Sequence, residues 1–223
     1  MSQVRVHNFS ISLDGFGAGD GLTFGAPMGH AGQRLHEWML ATRFGRSMFG
    51  EIGGTTGVDN SFAERHSLGI GAEIMGRGKF GPQVGPWSEI GTDAEWRGWW
   101  GSNPPFHTPV FVLTHHARPP IAMEGGTVFH FVDCTPREAL DLARDAAGAL
   151  DVRLGGGATV VREFLAADLI DVMHVVQVPL LLGRGVRLWD GCEGAEERYD
   201  IEAVSSPSGV THLTLTRRTA QAT

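Results

Sequence analysis

Lysine is almost missing from this chain. Of its 18 basic residues only Lys79 is a lysine, and the arginines that make up the rest form no run. With 25 acidic residues the net charge is −7, which argues against the basic stripe that a nucleic-acid surface needs. Cysteine is scarce as well. Cys134 and Cys192 stand far apart with no C-x-x-C spacing and read as free thiols in a reducing compartment, a disulfide between them being the alternative. Long apolar runs are lacking: Val175 to Leu182 is too short to span a bilayer and is broken by Gln177 and Pro179. Ser2 to His7 reads as strand, not as a charged leader, so a soluble cytoplasmic protein is expected. His115 and His116 have no third histidine or carboxylate at ligand spacing, so no metal site is expected.

What the chain does have is an ample apolar share, 42% of 223 residues, and 32 glycines concentrated between Gly15 and Gly101. With no repeat and no long linker, residues 1–223 read as one domain whose glycine-rich part is loop-rich. Val4 to Leu13 reads as a first strand closed by the turn Asp14-Gly15. Phe16 to Gly32 reads as a loop and Leu35 to Phe44 as a short helix. Ser61 to Leu68 reads as a helix leading to a strand at Ala72 to Met75, followed by Gly76-Arg77-Gly78-Lys79. Trp87, Trp96, Trp99 and Trp100 mark an insertion, read as core or dimer contact. Val110–Leu113 and Thr127–Val132 are strands. Thr135-Pro136-Arg137-Glu138 is a capping box with proline at the first helical position, opening a helix to about Ala149 with Ala139, Leu142, Ala143, Ala146 and Leu150 on one face. Leu169 to Pro179 is a strand, Gly183 to Gly185 a loop, and residues 198–205 and 210–217 a hairpin. This alternation predicts an α/β fold, a mostly parallel sheet flanked by helices with an antiparallel C-terminal edge.

The most informative stretch is Leu154-Gly155-Gly156-Gly157-Ala158-Thr159-Val160. An apolar strand runs into three glycines and then an amphipathic helix. Glycine lets the backbone bend tightly and a flat or phosphorylated ligand come close. The first free N–H groups of the helix, at Ala158, Thr159 and Val160, favour phosphate. The segment therefore reads as a dinucleotide pyrophosphate seat, or else as a turn that only joins two elements.

Four junctions in one order (Asp14-Gly15, Met75-Gly76-Arg77, Leu113-Thr114-His115 and Gly155-Gly156-Gly157), with the closing hairpin, resemble the dihydrofolate reductase fold. The closer resemblance is to the reductase domain at the C-terminal end of bifunctional riboflavin-biosynthesis deaminase/reductases and its stand-alone relatives. Ser12-Leu13-Asp14-Gly15, Leu154-Gly155-Gly156-Gly157 and Phe164-Leu165 carry it. It covers almost the whole chain apart from the Gly17–Gly32 loop and the Trp-rich insertion. The resemblance implies an NADPH-dependent reductase similar to 5-amino-6-(5-phosphoribosylamino)uracil reductase, with the cofactor across the carboxyl ends of the central strands. Gly155, Gly156, Gly157, Ala158, Thr159 and Val160 would hold the pyrophosphate and back the nicotinamide, with a cis peptide at Gly155–Gly156. Gly76, Arg77, Gly78 and Lys79 would lie by the adenosine phosphates, and Thr114, His115 and Arg118 by the adenine ribose. A homodimer and a small-molecule substrate are implied.

The chain also departs from that pattern. Dihydrofolate reductases carry a carboxylate three residues before a helical tryptophan; that register before Trp38 gives Leu35, which cannot donate a proton. No residue matches the phosphate-binding arginine of the riboflavin-type enzymes. Asp14 is the catalytic candidate, a polar group at the glycine end of the sheet, its alternative being a turn aspartate bonded to its own backbone. Glu37, Asp59 and Arg34 are substrate-side candidates. The rival readings are a non-catalytic nucleotide-binding protein on the same fold and a dihydrofolate reductase proper.

Overall fold

The structure, a computed structural model, describes residues 2–87 and 96–219. Nine strands form one twisted sheet in the order β10-β11-β8-β1-β7-β3-β4-β6-β5. They are β1 (Val4–Ser12), β3 (Ile70–Gly76), β4 (Pro109–Leu113), β5 (Ile121–Ala122), β6 (Val128–Val132), β7 (Asp151–Gly156), β8 (Val172–Val178), β10 (Tyr199–Ser205) and β11 (Thr211–Arg217). The six central strands, β8 through β6, run parallel, while β11 and β10 on one side and β5 on the other are antiparallel. The expected α/β architecture with its C-terminal hairpin is thus present.

Side chains alternate across each strand, so the sheet has two distinct faces. Helices α5 (Pro136–Ala147) and α6 (Ala158–Ala166) cover one face. There Val4, Val6, Ala72, Ile74, Val152 and Leu154 meet Leu140, Phe164 and Leu165. Fully burying a side chain such as Phe164 contributes about 1.5–3 kcal/mol. Thr135 caps α5: its hydroxyl accepts from the Glu138 N–H at 3.3 Å, and the Glu138 carboxylate accepts from the Thr135 N–H at 2.9 Å. The buried stripe of α5 is Ala139, Leu140, Ala143 and Ala147, whereas the expected Leu142 and Leu150 face solvent. The small alanines go to the sheet, which lets the helix lie close.

Strand β1 carries an extra residue. Asn8 has φ +56°, and the pairing with β8 shifts between Val6 and Phe9. This bulge puts Phe9 and Ile11 on the α-helical face with Val4 and Val6. Ser10 and Ser12 then belong to the other face, where the Ser10 hydroxyl accepts from the Trp38 indole N–H at 2.9 Å.

That second face is covered by two groups of residues. Short helices α1 (Glu37–Leu40), α2 (Arg43–Ser47) and α3 (Val58–Ala63) pack around Leu35, Trp38 and Ala63. The expected helix over Leu35–Phe44 is broken because the Thr42 hydroxyl accepts from the Gly45 N–H and starts a new turn there. Farther along, α4 (Arg77–Phe80) and the tryptophans pack on β3, β4 and β6: Phe80 and Trp87 are buried, and Trp96 and Trp100 lean on them. Residues 88–95 of the Trp-rich insertion lie outside the described residues. The Phe16–Gly32 segment is not all loop. Its start forms β2 (Phe16–Gly19), which pairs antiparallel with β9 (Gly185–Arg187), itself expected to be loop. Both cysteines are free thiols. Among the described residues no helix is long and apolar enough to cross a membrane.

Candidate functional site

The parallel register fixes one rim. Val6 stands beside Leu154, Met75 beside Gly156, and Gly76 beside Leu113. The carboxyl ends of β1, β7, β3 and β4 therefore come out together, bringing Asp14, Gly156-Gly157, Gly76-Arg77 and Thr114 to the same edge of the sheet. Crevices outside carboxyl ends are where open α/β sheets bind ligands.

The three glycines have different reasons for lacking a side chain. A Cβ on Gly155 would run into the Glu73 carboxylate and the Lys79 ammonium. Gly156 has φ +107° and would crowd the Phe9 ring, at 3.3 Å. Gly76 lies against Val160, whose Cγ2 would stand 2.9 Å from an added Cβ, so strand and helix are in close contact there. Gly157 is unlike the others: it is exposed, its φ of −69° suits any residue, and a Cβ there would have no neighbour within 4 Å. Its bare backbone borders open space. The cis peptide lies between Gly156 and Gly157, one bond later than expected, because Gly155 and Gly156 still belong to β7.

Gly157 is also the N-cap of α6, and no side chain caps that helix. The Gly157 carbonyl accepts from the Val161 N–H at 3.2 Å, which leaves the preceding N–H groups of the first turn pointing at the rim. Thr159 is exposed there, while Ala158 and Val160 are buried against the sheet. An uncapped helix start beside side-chain-free backbone is electrostatically suited to an anion.

Across the rim, the Arg77 guanidinium lies 3.9 Å from the Trp87 ring centre and that of Arg118 lies 4.8 Å from it. Trp87 thus contacts two cations, and its indole N–H donates to the His116 carbonyl at 2.5 Å. The Thr114 hydroxyl is buried and accepts from the His116 N–H at 3.1 Å. His115 is almost fully exposed, with Nδ1 3.0 Å from Asp133. Gly78 is exposed, and a Cβ added there would meet nothing within 4 Å.

Lys79 does not follow Arg77 onto the Trp87 ring. Its ammonium turns under the bend, donating to the Gly155 carbonyl at 2.6 Å and to Glu73 Oε1 at 3.2 Å. Glu73 and Arg153 are direct cross-strand partners, and the Arg153 Nε donates to Glu73 Oε2 at 2.8 Å. Burial pushes the Glu73 carboxyl up, but the charges of Arg153 and Lys79 overcome this and hold it below the usual range. Burial holds the Lys79 ammonium below the usual lysine range, and the Glu73 charge offsets only part of that. His36, His66 and His7 surround the cluster. Burial lowers His36 and His7 to about 4 and takes His66 well below 6.5, so all three are neutral at pH 7.

The acidic candidates are engaged in bonds of their own. Asp14 accepts from the Ser12 hydroxyl at 2.5 Å and from the N–H groups of Leu182 and Gly183 at 3.1 and 2.7 Å. Although partial desolvation raises its pKa, these bonds bring it down to about 2 and tie the loop after β8 to the end of β1. Asp59 is bonded to His212 under the β8–β11 edge, at 2.9 Å. Glu37 and Arg34 are exposed, and Leu35 is fully buried. Sequence reasoning missed Glu73 and Arg153. The available signal was a lone charge inside each of two apolar strands, of opposite sign. Among the described residues no group of three or more His, Cys, Asp or Glu side chains could hold a metal ion.

Solved structures share this fold, among them two relatives of low identity. One is a candidate riboflavin biosynthesis protein from Shewanella sp. PV-4, 20% identical, covering 98% of this chain and 100% of its own, with a TM-score of 0.56. The other is a pyrimidine reductase-like protein from Corynebacterium diphtheriae, 13% identical, covering 98% of this chain and 92% of its own, with a TM-score of 0.51. A search of curated proteins finds no match. The family model described as the RibD C-terminal domain matches residues 5–211, nearly the full length. The chain belongs to the RibD C-terminal domain family.

Proposed function

We propose that this chain is an NADPH-dependent reductase similar to 5-amino-6-(5-phosphoribosylamino)uracil reductase, acting by hydride transfer on a small heterocyclic or sugar-linked substrate. Family membership supports a reductase role. The observation that carries the cofactor reading is Gly157: its side-chain-free backbone faces open space at the uncapped start of α6, on the same rim as Arg77 and Thr114. The pyrophosphate would rest on the N–H groups of Ala158, Thr159 and Val160, with Gly156 and Gly157 backing the nicotinamide. Arg77 and Arg118, oriented by Trp87, would face the adenosine phosphates, with Thr114 and His115 toward the ribose. When bound, such a cofactor supplies the hydride.

The chain's own residues do the rest. Phe9 packs beneath Gly156, where a side chain would crowd its ring. Asp14 holds the loop at 182–183 against the first strand and so shapes the rim. Its low pKa makes it a poor acid, and the buried Leu35 offers none, which speaks against a dihydrofolate reductase proper.

The test is titration of tryptophan fluorescence with NADPH and with NADH. Wild type is expected to be quenched by NADPH, and Gly157→Asp to lose binding while keeping its unfolding temperature, since the Gly157 conformation accepts a side chain. Unchanged NADPH affinity in Gly157→Asp would refute the proposed seat.

A further inference from the structure

The chain meets every need for a permanent cation with arginine and keeps one lysine. Arginine stays protonated in proteins, whereas lysine gives up its proton when its surroundings disfavour charge. Lys79 is placed where that difference has a use. Its ammonium has three N–H groups. One donates to the Gly155 carbonyl and one to Glu73, and among the described residues no other acceptor reaches the nitrogen. The side chain is 28% exposed, whereas Glu73 and Arg153 behind it are 0% and 3% exposed. The third N–H therefore has no acceptor among the described residues, and it lies one residue before the bend at Gly156-Gly157.

The charged and titratable groups around it are few. Glu73 approaches from β3, Arg153 from β7, His36 from the turn before α1, and His66 from the segment after α3. The Phe106 ring lies 5.8 Å away. With the histidines neutral, one carboxylate faces two cations, and the enclosed cluster carries one excess positive charge. Of its two cations, only Lys79 can shed a proton, because a guanidinium stays charged.

We propose that Lys79 is the proton donor of the reductase site, with Glu73 and Arg153 as its positioning residues. This rests on the reductase reading above. A hydride from the reduced nicotinamide dinucleotide forms a C–H bond at the electrophilic carbon of a C=N or C=O group. The π-electron pair of that group moves to its nitrogen or oxygen. An N–H bond of Lys79 breaks, its proton goes to that atom, and the neutral amine regains a proton from water. The role Asp14 and Leu35 cannot fill is thus met from the opposite side of the bend.

The test has two independent arms. With ¹⁵N-lysine labelling the whole chain gives one side-chain resonance, so Lys79 can be titrated directly without turnover. We expect its midpoint below the ordinary lysine value of about 10.4. Glu73→Gln, which removes the neighbouring negative charge, should move it lower still. A midpoint at or above the ordinary value in wild type overturns the proposal. The second arm measures NADPH consumption with 5-amino-6-(5-phosphoribosylamino)uracil. Lys79→Met and Lys79→Arg should each lose about 100-fold or more in kcat, the usual contribution of a general acid. NADPH affinity, read by tryptophan quenching, should stay within about threefold. Lys79→Arg keeps the charge and loses the transferable proton, so near-wild-type kcat in that variant overturns the proposal in favour of a purely electrostatic role. Loss of NADPH affinity in both variants overturns it in favour of cofactor holding. A wild-type chain that neither binds nor consumes NADPH overturns the reductase reading itself, and this role with it.

Discussion

Two polar clusters lie on the same face of the sheet, and they are built on opposite plans. Under β8 and β11, the Asn8 N–H donates to His174 Nδ1 at 3.2 Å, His174 Nε2 meets His212 Nδ1 at 3.1 Å, and His212 Nε2 meets Asp59 at 2.9 Å. Because the Nδ1 of His174 is an acceptor, its Nε2 carries the proton, and the whole row reads in one direction toward the carboxylate. Burial lowers the His174 pKa to about 2, so that ring stays neutral at any ordinary pH. Phe62 stacks on both imidazoles, at 4.5 and 4.3 Å, and closes the row off. Under β3 and β7, by contrast, the Glu73 carboxylate meets two basic side chains, Arg153 and Lys79, and the cluster's most exposed member is Lys79. A closed row of neutral imidazoles ending on one carboxylate is how a fold holds polar groups it does not use. An open cluster with an excess charge is suited to chemistry.

The largest way to stress this contrast is acid. His7, His36, His66 and His174 are all held neutral in the folded chain, with pKa values lowered by burial. Their unfolded pKa is about 6.5, so the unfolded state takes up protons that the folded state refuses. Stability should be full above that pH and fall as pH drops from about 6.5 toward 4, seen as a decreasing unfolding temperature. A flat profile over that window would contradict the burial of these rings.

Next is Glu73→Gln. It leaves the Arg153 guanidinium buried without its counter-charge, which should cost about 3–5 kcal/mol in urea unfolding. Asp59→Asn, in the histidine row, replaces one acceptor oxygen and leaves no buried guanidinium unpaired, and should cost about 1–3 kcal/mol. Equal losses in the two variants would erase the distinction between the clusters. The smallest and sharpest comparison lies within the glycines. Gly155→Ala forces a methyl into Glu73 and Lys79 and should cost about 1–3 kcal/mol. Gly157→Ala meets nothing and should stay within about 0.5 kcal/mol of wild type in unfolding experiments.

Local chemistry made much of the fold readable from sequence. Thr135, Pro136 and Glu138 start α5 through hydrogen bonds within four residues, and α6 follows Gly157 just where the apolar spacing changes. The hairpin at β10 and β11 is encoded by a short turn between alternating runs. What depends on distant partners was not readable. The β2–β9 pair joins Ala18 to Val186, and neither segment signals the other. The fate of Lys79 depends on Glu73 and Arg153, which meet only because β7 inserts between β1 and β3. For the same reason the glycine run could be recognised as a site, but which of its members serves packing and which faces open space could not. Asp14 illustrates the limit from the other side: its strand end was evident, its bonds to Leu182 and Gly183 were not.

The bulge at Asn8 has a consequence for how this strand tolerates change. A substitution there is a matter of degree, but a deletion is a matter of parity. Losing one residue between Val6 and Phe9 would turn the Ser10 and Ser12 hydroxyls into the oily interior beneath α6 and swing Phe9 out from under Gly156. The length of this segment is therefore as much a part of its information as the letters, and variants one residue shorter should be lost even where every remaining residue is kept.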